Sequence, residues 1–335
     1  MTYQGGPAVS DELLQAPAHG TQPEGEAAAA NTTVAILLST FNGESYLAEQ
    51  LESIAAQSHQ DWVIVASDDG SEDSTLAILE HYRHRFGDDR LRIVKGPGKG
   101  FAANFLSMAT NMSIRTPFFA FCDQDDLWHP DKLERALVWL EQQPLDSAAL
   151  YCSRTRLVDA AGHPKGFSPL FDKPPSFRNA LVQSLAGGNT MVFNRGARDL
   201  LAQAGRVQVI SHDWWVYILT TGHGGHVHYD PQPTIDYRQH GRNLIGSNSG
   251  ISDRVFRIQR MLLGDFNRWN DVNLSALAPL FRLLTQDNRI VLECFSQART
   301  AYLPLRVQAM IRAGVYRQTL LGNLGLVAAT LLRKI

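Results

Sequence analysis

The sequence has few cysteines, almost no net charge and no long apolar run, and each shortage excludes a class of protein. The three cysteines among 335 residues stand singly, so they form neither a disulfide framework nor a zinc motif, and a reducing, cytoplasmic location is expected. A formal net charge of −2 lacks the basic excess of a nucleic-acid-binding protein. No segment reaches the ~20 apolar residues that a transmembrane helix needs.

Residues 1–31 differ in composition from the rest of the chain. They are rich in Ala, Gly, Pro and Gln, and they lack the basic start and the apolar segment of a secretory signal. Such a segment cannot bury enough apolar surface to fold, so a disordered tail is expected.

From residue 32 onward, apolar β-prone runs alternate four times with segments of helical apolar periodicity. This alternation predicts an α/β fold with a doubly wound, mostly parallel sheet, in a domain over residues 32–250. Within it, "AALYCSRTRLVD" predicts one further strand, and "GHVHYDPQPTIDYRQHGRNLIG" predicts a closing strand pair. Residues 251–335 have a helical pattern. Because the carboxyl ends of parallel strands share one rim, the polar residues after the first four strands are expected to lie together.

Three carboxylates follow the fourth of these strands within four residues, at Asp123, Asp125 and Asp126. Without a counter-charge they would repel one another. A Mg²⁺ or Mn²⁺ ion would remove this conflict, since hard carboxylate oxygens suit both ions. A solvated group of helix-capping acids is the alternative interpretation.

Two turns of small residues, "STFNGESYL" and "SDDGSEDST", follow the first two strands and suit a nucleotide that lies against the backbone. Asn42 or Glu44 can reach ribose hydroxyls, and Asp68 or Asp69 can accept the imide N–H of a pyrimidine. A polar turn with a helix cap is the alternative for the second segment.

The loop "GPGKG" follows the third strand and carries Lys99. It resembles a phosphate-binding loop, although it lacks the Walker pattern. Asn104, one helical turn further on, is either a ligand or part of a polar helix face.

Three segments in this order and spacing, "VAILLSTFNGESYLAEQLESI", "DDGSEDST" and "FCDQDDLWHPDKLE", resemble the inverting nucleotide-sugar glycosyltransferases of family 2, which have the GT-A fold. The resemblance covers roughly residues 32–250. "DQDDLW", "HDWW" and "YRQHGRNLIG" are similar to the bacterial rhamnosyltransferase-like branch, which builds O-antigen and related cell-surface polysaccharides with dTDP-L-rhamnose as donor. The processive Q-x-x-R-W signature is absent, which favours the addition of one or a few sugars.

The resemblance implies a role for each rim residue. The first turn lines the nucleoside, and one of the two acids after the second strand reads the base. Lys99 and Asn104 lie near the phosphates or the base. Asp123 contacts the ribose and Asp125 the metal, whereas Asp126 either binds metal or caps the helix. The predicted nucleotide-sugar-binding residues are Thr40, Phe41, Asn42, Glu44, Asp68, Asp69, Lys99, Asn104, Asp123, Arg238 and Arg242.

An inverting transfer needs a general base that takes a proton from the acceptor hydroxyl as it attacks the anomeric carbon. Asp213, in "SHDWWVYIL", is the predicted catalytic base, because the family has an acid at this place; a helix N-cap is the alternative. His240 is a candidate metal ligand beside Asp125, or a structural histidine. Arg238 and Arg242 are either a diphosphate clamp or solvated arginines.

The segment "LAGGNTMVFNR" resembles the loop that meets the acceptor in this family. Its glycines allow a close backbone approach, and the two tryptophans after the predicted base either stack on a sugar or lie in the core. The predicted acceptor residues are Gly188, Asn189, Trp214 and Trp215.

In residues 251–335, Arg alternates with Leu, Ile and Val. This pattern is typical either of a basic amphipathic helix on the inner face of the plasma membrane or of helix packing in a homodimer. The other expected partners are a nucleotide sugar, dTDP-L-rhamnose by resemblance, and a glycan or lipid-linked glycan acceptor.

Two other classes share parts of this pattern. A nucleotidyltransferase that makes the sugar nucleotide would have similar nucleoside and metal sites, but this chain lacks its glycine- and lysine-rich start signature. A non-catalytic nucleotide- or carbohydrate-binding module would need no base at Asp213.

Overall fold

The computed structural model describes residues 31–240 and 265–335 of the chain. Arg242, nearly all of the predicted N-terminal tail and the start of the predicted C-terminal helical region lie outside these residues. Thr32–Ile335 make up one unit of the chain, and it contains both sheets that the described residues form.

The described residues form eleven strands in two sheets. The strands are β1 (Val34–Thr40), β2 (Trp62–Asp68), β3 (Leu91–Lys95), β4 (Phe118–Cys122), β5 (Leu127–Trp128), β6 (Ala149–Ser153), β7 (Arg156–Asp159), β8 (Pro164–Phe167), β9 (Val192–Asn194), β10 (His226–Asp230) and β11 (Ile235–Gln239). The seven-stranded sheet has the order β10-β6-β9-β4-β1-β2-β3, and the four-stranded sheet has the order β5-β11-β7-β8. In the large sheet, β9 runs antiparallel to both of its neighbours, while the other pairs are parallel.

β1 lies at the centre of the large sheet, between β2 and β4. Its side chains alternate between two hydrophobic clusters, because successive residues of a strand point to opposite faces. Ala35 and Leu37 belong to one cluster, and Ile36 and Leu38 belong to the other. The continuous apolar run of β1 is therefore explained by burial on both faces of a parallel sheet.

Helices connect the strands and follow them toward the C-terminus. The α-helices of the described residues are α1 (Leu47–Ala55), α2 (Thr75–Phe86), α3 (Phe101–Ala109), α4 (Lys132–Leu140), α5 (Phe177–Ala180), α6 (Arg195–Ala204), α7 (His212–Gly222), α8 (Asp265–Leu277), α9 (Gln286–Thr300), α10 (Leu303–Ala313) and α11 (Leu320–Leu331). In the described part of the chain, no helix has both the length and the apolar character to cross a bilayer. The predicted α/β class, with a mostly parallel sheet and C-terminal helices, is confirmed.

Two predictions about the strands after residue 145 were wrong. "AALYCSRTRLVD" is not one strand but two, β6 and β7, and these belong to different sheets. Likewise, β10 and β11 do not pair with each other, because β10 pairs with β6 and β11 pairs with β7. The ends of β6 and β10 lie side by side, and there the backbone N–H of Arg154 donates to the carbonyl of Asp230. Only long-range pairing decides this switch between sheets.

The C-terminal helices share a core with the sheet. Phe295 of α9 is fully buried and belongs to the same hydrophobic cluster as Leu37 of β1 and Trp215 of α7. Leu326 of α11 belongs to this cluster as well. The described part of residues 251–335 is therefore packed into the α/β domain.

We predict that Phe295→Ala lowers the free energy of unfolding by about 3–5 kcal/mol, because it leaves a cavity in this shared core. Urea unfolding followed by far-UV circular dichroism and by tryptophan fluorescence would measure the change. Ile290→Ala is the matched control on α9, since Ile290 is 53% exposed, and its effect is expected within about 0.5 kcal/mol. Two separate transitions, with only one shifted by Phe295→Ala, would contradict a shared core.

Candidate active site

The loops that follow β1 and β4 are joined at the rim of the large sheet by the side chain of Gln124. Its Oε1 accepts the backbone N–H of Phe41 at 2.8 Å, and its Nε2 donates to the carbonyl of Phe41 at 3.0 Å. A Cβ at Gly43 would lie 2.3 Å from Gln124 Oε1, so a side chain at this position would displace the amide of Gln124. The sequence analysis missed Gln124, although an amide between two aspartates was a visible signal.

The loop after β1 is also joined to the loop after β2. Asn42 has a left-handed backbone conformation (φ 48°), its N–H donates to Ser71 Oγ, and its Oδ1 accepts the N–H of Glu72. Glu44 Oε2 accepts the N–H of Ser74 at 3.1 Å. Phe41 is 56% exposed at this edge. The predicted nucleoside residues of the first turn therefore lie together, beside the loop that carries the predicted base-reading acid.

Asp68 ends β2 and Asp69 follows it, and only Asp69 keeps acceptor capacity for a ligand. The carboxylate of Asp68 is buried and accepts four hydrogen bonds, from Thr40 Oγ1, Ser71 Oγ and the N–H groups of Gly70 and Ser71. These bonds fill the acceptor sites of a carboxylate, so the predicted base-reading role of Asp68 is wrong. Asp69 is half-buried and retains acceptor capacity.

Asp69 also fixes the loop after β3. Its carboxylate accepts the backbone N–H groups of Gly98, at 2.7 Å, and Gly100, at 2.8 Å. Lys99 lies between these two residues with its side chain exposed. The predicted phosphate loop is thus held beside the candidate base-reading residue, and Lys99 stays a predicted phosphate ligand.

Two other predicted nucleotide-binding residues have structural roles instead. Asn104 is fully buried: its Nδ2 donates to Ser39 Oγ and to the carbonyl of Ser67, and its Oδ1 accepts from Ser67 Oγ. The hydroxyl of Thr40 is buried and donates to Asp68. Asn104 therefore holds α3 against β1 and β2, and neither side chain is free to contact a nucleotide.

Asp123 lies near two other acids of the site, Asp125 and Asp213. Burial, and then the charges of Asp125 and Asp213, raise the pKa of Asp123 to about 8. Because the charge of Asp213 contributes to this rise in pKa, the predicted catalytic base lies close to the acidic loop, although the two are ninety residues apart in the chain. The site therefore gathers three carboxylates at one place.

Asp125 is paired with the predicted second metal ligand. His240 Nε2 lies 2.9 Å from Asp125 Oδ2, and the imidazole stacks on the ring of Tyr46 with 4.9 Å between ring centres. Two neighbouring ligands of an octahedral Mg²⁺ ion, each at about 2.1 Å, stand about 3.0 Å apart. This pair fits a divalent cation, although no group of three or more acidic, His or Cys side chains in residues 31–240 and 265–335 is arranged to hold one.

Asp126 is neither the metal ligand nor the helix cap considered above, because both of its carboxylate oxygens accept hydrogen bonds within the protein. It is almost fully buried, where its Oδ2 accepts Asn189 Nδ2 at 2.6 Å and its Oδ1 accepts the backbone N–H of Arg238 at 3.2 Å. Burial, and then the charges of Asp125 and Asp123, raise the pKa of Asp126 well above its usual range. Its role is to tie the acidic loop to the neighbouring segments.

Lys132 belongs to the same hydrogen-bonded network as Asn189 and Asp126, and the sequence analysis missed it. The ammonium is fully buried, donates to the carbonyl of Asn189 at 2.9 Å and lies 4.6 Å from the centre of the Trp128 ring. Burial lowers the pKa of Lys132 to about 7. Its position in the first turn of α4 looked like that of any exposed helix lysine.

Arg238 is a structural residue rather than the predicted diphosphate clamp. Its guanidinium is buried, donates to Glu49 Oε2, to the carbonyls of Asp125 and Ala160, and stacks on the ring of Tyr46. A guanidinium engaged in this way has too few donors left for bidentate phosphate binding. Arg242, the other member of the predicted clamp, lies outside the described residues.

Asp213 lies in the first turn of α7. The N-cap of this helix is Ser211, so the alternative of an N-capping aspartate does not hold. Asp213 is 8% exposed, and its Oδ2 accepts the backbone N–H of Gly188 at 3.2 Å. The carboxylate is therefore held at a fixed place between the predicted acceptor loop and the acidic loop.

Comparison with known proteins identifies the chain. The family described as "Glycosyl transferase family 2" matches residues 35–199, which include β1 to β4 and the rim loops. The dTDP-rhamnosyl transferase RfbG of Shigella flexneri is 28% identical over 252 residues, covering 72% of this chain and 83% of that protein. The putative glycosyltransferase EpsE of Bacillus subtilis is 34% identical over 113 residues, covering 32% and 38%. Residues 35–199 of the chain therefore form a glycosyltransferase family 2 domain.

The fold of a solved glycosyltransferase agrees. S. aureus TarS 1-349, in complex with UDP-GlcNAc, superposes on this family 2 enzyme with a TM-score of 0.50 and 17% identity, covering 84% of this chain and 80% of that chain. The predicted GT-A fold, glycosyltransferase class and rhamnosyltransferase-like resemblance are confirmed. The nucleotidyltransferase and the non-catalytic module are set aside.

The predicted acceptor residues of the glycosyltransferase divide into two pairs. Gly188 and Asn189 lie beside the site, in contact with Asp213 and with Asp126. Trp215 is fully buried in the core, and Trp214 is 6% exposed with its indole N–H donating to the carbonyl of Ala180. The acceptor role predicted for these two tryptophans is wrong, because their rings complete the packing of α7.

His212, next to the predicted base of this glycosyltransferase, is a third residue to which the sequence analysis assigned no role. The imidazole is buried against Phe105, with 3.9 Å between ring centres, and neither ring nitrogen has a hydrogen-bond partner among the described residues. Burial lowers the pKa of His212 to about 4, so the ring is neutral near pH 7. A Cβ at Gly188 would come within 2.3 Å of its Nε2, so the ring and the acceptor loop pack directly on each other.

We predict that Asn104→Ala lowers the free energy of unfolding by about 2–3 kcal/mol, because it leaves the half-buried hydroxyl of Ser39 and the buried polar groups of Ser67 without their partner. The affinity of the folded variant for dTDP, measured by calorimetry, is expected to stay near that of the wild type. Asn111→Ala is the matched control, since Asn111 is exposed just beyond the same helix. A tenfold loss of affinity at unchanged stability would restore Asn104 as a ligand-binding residue.

Proposed function

We propose that this glycosyltransferase moves L-rhamnose from dTDP-L-rhamnose, with inversion, onto a hydroxyl of a bacterial cell-surface polysaccharide precursor of the O-antigen type. The convergence of Asp123, Asp125 and Asp213 at the carboxyl rim of the sheet carries the transfer mechanism. The similarity to a dTDP-rhamnosyl transferase over 72% of the chain supports the donor sugar.

In this mechanism Asp213 is the general base. Its carboxylate takes the proton from the acceptor hydroxyl while that oxygen forms a bond to the anomeric carbon, and the bond from this carbon to the diphosphate breaks. The products are the new glycoside and dTDP, with the proton left on Asp213. The hydrogen bond from the N–H of Gly188 fixes the carboxylate toward the acceptor side.

Asp125 and His240 are the residues proposed to hold Mg²⁺ or Mn²⁺. The negative charge of the loop and the 2.9 Å separation of the two side chains fit such an ion. When bound, it would neutralise the charge that develops on the departing diphosphate. Asp123, partly buried between Asp125 and Asp213, would contact the ribose.

The nucleotide is proposed to lie across the rim loops. Phe41 would pack on the base, Asp69 would accept its imide N–H, and Asn42 and Glu44 would reach the ribose. Lys99 would contact the diphosphate from the glycine loop. The hydrogen bonds that join these loops to one another support this arrangement, because they hold its members together without a ligand.

The acceptor is proposed to be a glycan or lipid-linked glycan that enters beside Gly188 and Asn189. The location is proposed to be cytoplasmic. All three cysteines are free thiols, as expected in a reducing compartment.

We predict that Asp213→Asn lowers rhamnose transfer by about 10²–10⁴-fold, because the amide cannot accept the proton. Release of dTDP from dTDP-L-rhamnose, with extracted bacterial lipid-linked glycans as acceptor, would measure transfer, and calorimetry should show unchanged dTDP affinity. Asp146→Asn, at an 89% exposed side chain, is the matched control. Turnover of Asp213→Asn at the wild-type rate would remove Asp213 as the base.

We also predict that Asp125→Ala abolishes the increase in dTDP affinity that Mn²⁺ causes, because the proposed cation loses a carboxylate ligand. Calorimetric titrations with Mn²⁺ and with EDTA would measure this difference for the wild type and the variant. Asp131→Ala, on an exposed side chain in the following loop, serves as the control. The assignment fails if the variant retains the full response to Mn²⁺.

A further inference from the structure

Helix α11 is apolar on all sides, yet one side faces solvent. Its sequence, LLGNLGLVAATL, contains no charged residue. Leu326 and Ala329 are buried against the core. A short helix that is apolar all round is normally covered on every side, so the exposed side needs an explanation.

The exposed side is a regular row of four large side chains, here called the outer row. These residues follow one another at spacings of four, three and four, which places them on a single stripe of the helix. Their exposed fractions are unusually high for such residues: Leu320 78%, Leu324 58%, Val327 57% and Leu331 52%. On the preceding helix, Ile311 is 74% exposed. Contiguous exposed apolar surface of this kind marks an interaction site.

The C-terminal segment that carries the outer row is basic. Residues 294–335 contain six Lys or Arg and no Asp or Glu, although the whole chain has a net charge of −2. Of these six, Arg306 is buried and Arg299 pairs with Asp271. Arg312 and Arg333 are exposed, and Lys334 is half-buried next to the end of the row. The surface therefore combines exposed leucines with basic side chains.

This combination favours an anionic lipid surface over a second copy of the chain. In a two-fold dimer the same patch meets itself, so the exposed cations beside the outer row would face the cations of the second copy. Anionic headgroups would instead attract these cations. With twelve residues, or about 18 Å, α11 is too short to span a bilayer and long enough to lie along it.

We propose that the outer row and the basic residues beside it dock this glycosyltransferase on an anionic phospholipid bilayer. Helix α11 lies in the plane of the interface, with the leucines at the level of the acyl chains and the cations at the level of the headgroups. The proposal does not depend on the donor sugar or on the catalytic base.

Co-sedimentation of the full chain with phosphatidylcholine vesicles, with and without phosphatidylglycerol, tests this docking. The wild type is expected to pellet with the phosphatidylglycerol vesicles and at least about tenfold less with phosphatidylcholine alone. The double variant Leu324→Asp/Val327→Asp should lose about tenfold or more of the binding. The double variant Arg333→Gln/Lys334→Gln should weaken only the part that requires phosphatidylglycerol.

Val138→Asp is the matched control, because Val138 is 61% exposed on α4 and lies outside the outer row; it should bind vesicles like the wild type. Circular dichroism melting establishes that each variant is folded. Wild-type protein that stays in the supernatant, or Leu324→Asp/Val327→Asp that pellets equally, would overturn the proposal. A dimer that this variant converts to a monomer, without vesicle binding by the wild type, would assign the row to a second copy.

Discussion

The site depends on keeping several carboxylates together in a place with little water. Asp123, Asp125, Asp126 and Asp213 converge there, and burial with mutual repulsion raises the pKa of both Asp123 and Asp126. Hydrogen bonds offset part of this repulsion. Asp126 accepts hydrogen bonds from Asn189 and from the backbone of Arg238, and the buried side chain of Lys132 donates to the carbonyl of Asn189. One network thus fixes the acidic loop, the acceptor loop, α4 and β11 at the same point.

The rim acids fall into two groups according to what the protein itself demands of them. Asp68 and Asp126 are both buried, and the hydrogen bonds that their carboxylates accept shape the loops. Asp69 and Asp125 are only half-buried, so a ligand can reach the acceptor capacity that their carboxylates retain. The first pair therefore supports the structure of the site, and the second pair is available for a ligand. Burial gives these chemically similar acids different roles.

The same packing connects the site to the proposed membrane surface. Trp215 stands two residues after Asp213 in α7, and its cluster includes Phe295 of α9 and Leu326 of α11. A helix docked on a bilayer through its outer row would therefore hold the catalytic rim at a defined place relative to the lipid. This arrangement would suit an acceptor attached to that bilayer.

The sequence by itself determined the α/β class, the rim of polar loops and the acids that belong to them, because strand burial and helix periodicity are local patterns. It also pointed to Asp213 and to the Asp125–His240 pair through resemblance. It did not distinguish Asp68 from Asp69, nor reveal that Asn104 and Arg238 are structural and that Trp214 and Trp215 are core. Those distinctions depend on which groups meet across long stretches of chain, such as Thr40 with Asp68 or Asp126 with Asn189. Only the tertiary structure decides them, because a side chain can bind a ligand only with the hydrogen bonds that the fold leaves unused.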